Sequence, residues 1–128
     1  MIATFCDRLV HHKPLVVHGT GEQRRDFLYI SDVVEVLVRA LAYVPEGVET
    51  VNLCSGTAVT LNQIIEMLFE VSGKTVEVEY HDSSEDEDEE MVWWGDPTAC
   101  REKFHWVPTV DMREGLTLTY QWCARGGR

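Results

Sequence analysis

Apolar positions Ile2, Phe5, Cys6, Leu9 and Val10 recur at the i, i+3, i+4, i+7, i+8 spacing of one helix face. That helix is predicted to stop near Lys13, because Pro14 disfavours helical geometry in the residue before it. Leu15 to His18 then reads as a short strand closed by the Gly19-Thr20-Gly21 turn. A β-rich run from Asp26 to Ile30 leads into Ser31-Asp32, where Asp32 and Glu35 have the spacing of a capping box and predict a helix start. Val33, Val34, Val36, Leu37, Ala40, Leu41 and Val44 make this helix more apolar than a surface helix needs to be, and it should end before Pro45-Glu46-Gly47. Thr50 to Cys54 reads as a buried strand followed by a Ser55-Gly56 turn.

Thr60 and Gln63 form a second capping box, opening a helix that turns Leu61, Ile64, Ile65, Leu68 and Phe69 to a core. Gly73 suits the left-handed residue beyond its end. Thr75 to Tyr80 alternates, with Val76, Val78 and Tyr80 on one face and Glu77 and Glu79 on the other. Asp96-Pro97 predicts a short helix, and Asp111 with Glu114 caps a last one through Leu116, Tyr120 and Cys123, ending at Gly126-Gly127. Helices and short strands alternate without an internal repeat, so the fold class is α/β, of an α+β-like kind.

Composition narrows the picture. A chain of 128 residues, 45% hydrophobic and 26% charged, supports one folded domain, here residues 1–128. No apolar run approaches the roughly 20 residues that span a bilayer, and MIATFCDRLV lacks the features of a signal peptide, so a cytoplasmic protein is expected. Cys6, Cys54, Cys100 and Cys123 are far apart and form no zinc-ligand spacing; they read as buried free thiols. His11 and His12 sit together at a helix end without an HExxH or His-x-His pattern, and no metal site is expected.

The net charge is −11, but seven of the 22 acidic residues lie in the single stretch 82–90, leaving 15 against 11 basic residues elsewhere. That stretch reads as a solvated acidic loop, with docking of a basic partner as the second reading. Nucleic acid is excluded as a partner for want of a basic footprint.

Three segments, in order, resemble the carboxy-terminal portion of extended short-chain dehydrogenase/reductase proteins, the family of NAD-dependent nucleotide-sugar epimerases and dehydratases. KPLVVHGTGEQRRDFLYISDVVEVLVRAL resembles the family's P-L-x-V-x-G-x-G-x-Q-x-R-D-F stretch and its V-x-D-V helix start. VNLCSG resembles Y-N-V-G-S-G, and GDPTACREKFHWVPTVDMREGLTLTYQW resembles the D-P-S-K-A, L-G-W-x-P, E-E-G-L and Trp ending. The resemblance runs from about Ile2 to Trp122 and implies the substrate-binding half of such an enzyme, without its Rossmann core.

By the same resemblance, Arg25 would contact the diphosphate of a nucleotide-sugar. Its planar fork of donors suits phosphate oxygens as lysine does not. Leu15 and Val17 would lie near base and ribose, and Asn52 holds a family asparagine position with either a ligand contact or a turn hydrogen bond as its role.

The family's glycine-rich NAD loop has no counterpart among the nine glycines. Its Tyr-x-x-x-Lys pair is also missing, since Tyr29, Tyr43, Tyr80 and Tyr120 are followed at that spacing by Val33, Gly47, Ser84 and Ala124. No catalytic residue and no cofactor are therefore expected in this chain. The family's second diphosphate arginine falls where this sequence reads HDSSEDEDEEMVWW, and carboxylates there weaken an anionic ligand.

The expectation is a non-catalytic domain that self-associates through the apolar faces of its Asp32 to Val44 helix and Thr50 to Cys54 strand, with weak or no nucleotide-sugar binding. A split epimerase with a Rossmann-type partner protein, and a truncated product without activity, are the alternatives. Trp93 and Trp94 are expected to be partly buried anchors of the helix that follows them.

Overall fold

A computed structural model of the chain describes residues 1–44, 47–82 and 92–127. In chain order the elements are α1 (Ile2–Val10), β1 (Leu15–His18), β2 (Arg24–Asp26), α2 (Ile30–Leu41), β3 (Ala58–Thr60), α3 (Leu61–Ser72), β4 (Val78–His81), β5 (Val92–Trp93), α4 (Thr98–Phe104) and α5 (Met112–Ala124). β1 and β4 pair in parallel, from Leu15 opposite Val78 to His18 opposite His81. A second sheet has the order β3-β2-β5, with β3 antiparallel and β5 parallel to the central β2.

The main core collects the faces that periodicity marks. Phe5, Cys6 and Leu9 of α1 meet Leu15 and Val17 of β1, Leu61, Ile64, Ile65 and Leu68 of α3, and Leu116 and Cys123 of α5. Burying one such Leu or Ile side chain stabilises the fold by about 1.5–3 kcal/mol. A smaller core holds Val36, Cys100 and Trp106, with Leu28, Leu53 and Phe104 packed on it. All four cysteines are buried free thiols, and burial together with the neighbouring Cys123 pushes the Cys6 thiol up to about 12.

Local signals set the ends of α3. The Thr60 hydroxyl accepts from the Gln63 amide while the Gln63 side chain accepts from the Thr60 amide, closing the box from both directions. Gly73 closes the helix at φ 64°, ψ 17°. At α5 the Asp111 carboxylate accepts from the Glu114 amide at 2.8 Å, as its position predicts.

Six expectations need correction. Asp32 does not cap α2, whose N-cap is Tyr29 and carries no side-chain cap bond. Its carboxylate, 1% exposed, reaches 77 residues along the chain: Oδ1 accepts from the Thr109 amide (3.1 Å) and hydroxyl (2.8 Å), and Oδ2 from the Val110 amide (3.1 Å). Glu35, freed of the capping role, pairs instead with Arg39 one turn on.

Residues 50–54 form no strand, because no neighbouring strand lies within the described residues to complete a ladder. Trp93 and Trp94 are 60% and 64% exposed and are not buried anchors. Finally, α4 begins at Thr98, after a turn in which the Thr98 amide donates to Asp96 Oδ1. The β-rich run lies earlier than expected, at Arg24–Asp26, and α2 ends at Leu41 rather than Val44. β3 has no counterpart in the sequence pattern, being three residues long. Of the acidic stretch, only Asp82 falls among the described residues, and it is exposed.

Burial raises the Asp32 pKa, but the hydrogen bonds from the Thr109 hydroxyl and the Val110 and Thr109 amides outweigh it and hold the carboxyl below its ordinary value of 3.8. A depressed folded-state value contributes stability above the unfolded value, and that contribution is lost as pH falls through the folded one. We predict that Asp32→Asn lowers stability at pH 7 by about 2–3 kcal/mol, because one amide of the 109–110 turn then faces an NH2 group. Thermal melts from pH 7 to pH 2.5 should show a shallower acid loss for the variant than for the parent. Thr60→Ala should cost about 1 kcal/mol in urea denaturation, without that change in pH dependence.

Candidate functional site

Arg25 lies in the middle of β2, the central strand of its sheet, opposite Val59 on one side and Trp93 on the other. Paired residues on neighbouring strands point to the same face, so Val59, Arg25 and Trp93 form one row across the sheet. The Arg25 guanidinium carbon lies 5.9 Å from the centroid of the Trp93 ring, and Nη1 donates to the Arg24 carbonyl at 3.0 Å. The residue is half-buried, with its charge at the sheet's β5 edge.

The next residue holds the site in place. Asp26 Oδ1 accepts from the Ser55 amide (2.9 Å) and hydroxyl (2.6 Å), and Oδ2 from the Gly56 amide (2.9 Å). This repeats the arrangement at Asp32: one oxygen takes an N–H and O–H from a single residue, the other takes the next N–H. The turn after residues 50–54 is thereby fixed to β2. A second fastening comes from Gly95, where a Cβ would stand 2.7 Å from Cys54 Sγ and 3.8 Å from Asn52 Cβ. Only glycine lets the chain leaving β5 pass that close to the 52–54 segment.

The expected site residues are thus divided. Arg25 and the exposed Asn52 are held on adjoining segments by the Asp26 bonds and the Gly95 approach. Leu15 and Val17 are 0% and 1% exposed and belong to the main core, so their side chains cannot line a ligand surface. On that strand His18 is exposed and Val16 partly so, and contact with a ligand would fall to them or to the backbone. Sequence reasoning passed over Asp26 and Trp93. The R-D pair within a β-rich run followed by Ser-Gly was the available signal for Asp26; nothing in the pattern marked the stack on Trp93.

A cleft of about 390 Å³ runs beside this sheet, lined by Phe27, Leu28, Ser55, Val59, Thr109 and Met112 among others. Both carboxylate clamps border it, since Ser55 and Thr109 are their partners. Among the described residues Asp111 is the one charged residue in its lining, so the cleft suits an apolar occupant and disfavours a phosphate.

NAD, which the family resemblance implies, needs glycines whose backbone opens onto a pyrophosphate. The Gly19-Thr20-Gly21 turn is filled instead: a Cβ at Gly21 would meet Asn62 Oδ1 at 2.2 Å, and Asn62 Nδ2 donates to the Thr20 carbonyl and to Glu22. These residues do not fit the cofactor.

Among proteins of known type, a family model for GDP-mannose 4,6-dehydratase matches residues 1–119. UDP-glucuronate 4-epimerase of Thermodesulfobacterium geofontis (strain OPF15) is 33% identical over 122 residues, covering 94% of this chain and 36% of its own length. UDP-glucuronic acid decarboxylase 2 of Arabidopsis thaliana is 29% identical over 118 residues, 92% of this chain and 26% of its own.

The fold matches the crystal structure of UDP-glucuronic acid 4-epimerase from Bacillus cereus, in complex with UDP-glucuronic acid and NAD, at a TM-score of 0.87 and 28% identity. That match covers 98% of this chain and 40% of the other. It also matches UDP-glucose 4-epimerase of Thermotoga maritima with UDP-glucose, at a TM-score of 0.84 and 27% identity, over 99% of this chain and 40% of that one. The chain spans two fifths or less of the length of these proteins. With motif order, family model and fold in agreement, this chain belongs to the NAD-dependent epimerase/dehydratase family of extended short-chain dehydrogenases/reductases and corresponds to a portion of its members.

Proposed function

We propose that these 128 residues act as the nucleotide-sugar side of an epimerase or dehydratase fold: non-catalytic by themselves, weakly binding a nucleotide-sugar through Arg25, and self-associating through α2. The observation that carries this reading is the outer face of α2. Ile30, Val34, Leu37, Val38 and Leu41 recur at helical spacing and are all exposed, Leu41 to 87%. Such a stripe is contiguous apolar surface of the kind that marks an interface. Covering it would release about 25 cal/mol for each Å² removed from water, several kcal/mol over five side chains.

Arg25 supports the ligand side of the reading. It stands at the family's R-D-F position, and the relatives of matching fold are crystallised with UDP-glucuronic acid or UDP-glucose. One guanidinium is a modest anchor, which is why the affinity is placed low. The lack of fit to NAD, and of a Tyr-x-x-x-Lys pair in the sequence, supports the non-catalytic part.

A second reading has its own support. Because the chain spans about two fifths of its relatives, a Rossmann-type module in a separate polypeptide could cover the same α2 face and add NAD chemistry. Two substitutions on one stripe, Leu37→Glu and Leu41→Glu, separate these outcomes. Light scattering on the 128-residue chain should give a dimer or larger assembly for the parent and a monomer for the double variant, with melting temperature changed by only a few degrees. A parent that stays monomeric at high concentration contradicts self-association, and co-purification with a protein bearing the glycine loop would favour the split enzyme.

A further inference from the structure

We propose that Trp93 is the positioning residue for Arg25, holding its guanidinium for a nucleotide diphosphate; this rests on the reading of Arg25 given above. β5 is only two residues long, yet it pairs in parallel with β2 so that Trp93 lies opposite Arg25 and Val92 opposite Arg24. The ladder therefore puts the largest aromatic ring available beside the arginine of the candidate site, on the same sheet face, at 5.9 Å from ring centroid to guanidinium carbon.

What places the Trp93 backbone lies on either side of it. Upstream, the bonds to β2 set its height along the strand. Downstream, Gly95 passes against Cys54, and a Cβ at Gly56 would meet Pro97 at 3.2 Å, so the chain leaving Trp93 is held against the turn that Asp26 clamps. Ring and guanidinium are thus fastened to one short piece of backbone, β2 and its Asp26.

The contact has a chemical consequence. An aromatic ring within about 6 Å of a guanidinium attracts its positive charge. A guanidinium drawn to one side in this way has less rotamer freedom to lose on meeting paired phosphate oxygens. Trp93 is 60% exposed, so burial in a core does not account for a tryptophan at this position.

The test is an amide NMR titration of the 128-residue chain with UDP-glucose, with uridine as the phosphate-free control. Trp93→Phe keeps an aromatic face and should bind within about twofold of the parent, whereas Trp93→Leu keeps apolar bulk and should weaken binding about threefold. In an Arg25→Ala background Trp93→Leu should add nothing, which a merely structural role would not produce. Unchanged binding in Trp93→Leu, or an equal loss in both backgrounds, overturns the role of Trp93 and leaves the reading of Arg25 standing. If the parent shows no phosphate-dependent shifts at millimolar UDP-glucose, both fall together.

Discussion

Two buried or half-buried carboxylates, six residues apart, organise everything around the candidate site. Asp26 and Asp32 each give one oxygen to the amide and hydroxyl of a single Ser or Thr and the other to the following amide. Six donors are satisfied by two side chains, and hydrogen bonds to a charged acceptor are worth about 1.5–3 kcal/mol each. Asp26 ties the 55–56 turn to β2, and Asp32 ties the 109–110 turn to α2. The cleft between those turns, the direction of Arg25 and the seating of the smaller core all follow from these two attachments. An aspartate suits the task because its short stem leaves few rotamers, and an asparagine would face one amide with the wrong group.

How far the fold could be read in advance depended on how local each signal was. The Thr60–Gln63 box and the Asp111 cap lie within three residues of what they bond, Gly73 directly follows the helix it closes, and all three stand where the pattern put them. Asp32 misled because a D-x-x-E spacing is a local pattern, while this carboxylate found better donors 77 residues away. Residues 50–54 misled for the opposite reason. Their β-branched, apolar composition suits a central strand, but a strand exists only with a neighbour to pair with, and the described residues supply none. Of the site, Arg25 was legible only through resemblance; Leu15 and Val17 were placed near the ligand by the same resemblance and are core residues. The Trp93 stack depends on a two-residue ladder that no sequence period encodes.

On the proposed reading, family membership and activity come apart in this chain. Fold and motif order are those of nucleotide-sugar epimerases and decarboxylases, over roughly two fifths of their length. Arg25, the proposed diphosphate contact, lies on β2. The Gly19-Thr20-Gly21 turn is packed by Asn62, and α2 turns five apolar side chains outward. A guanidinium beside an aromatic ring and an uncovered apolar helix are different kinds of feature. The first concerns a small ligand and the second a macromolecular surface.

Hydrogen exchange, read element by element as a function of protein concentration, tests whether α2 is an interface helix. Local opening of an uncovered helix is suppressed when a second copy packs on it. Amide protection in α2 should rise as the chain is concentrated from micromolar to near millimolar, while α1, α3 and α5 in the main core stay unchanged. Exchange in α2 that is independent of concentration across that range would contradict it.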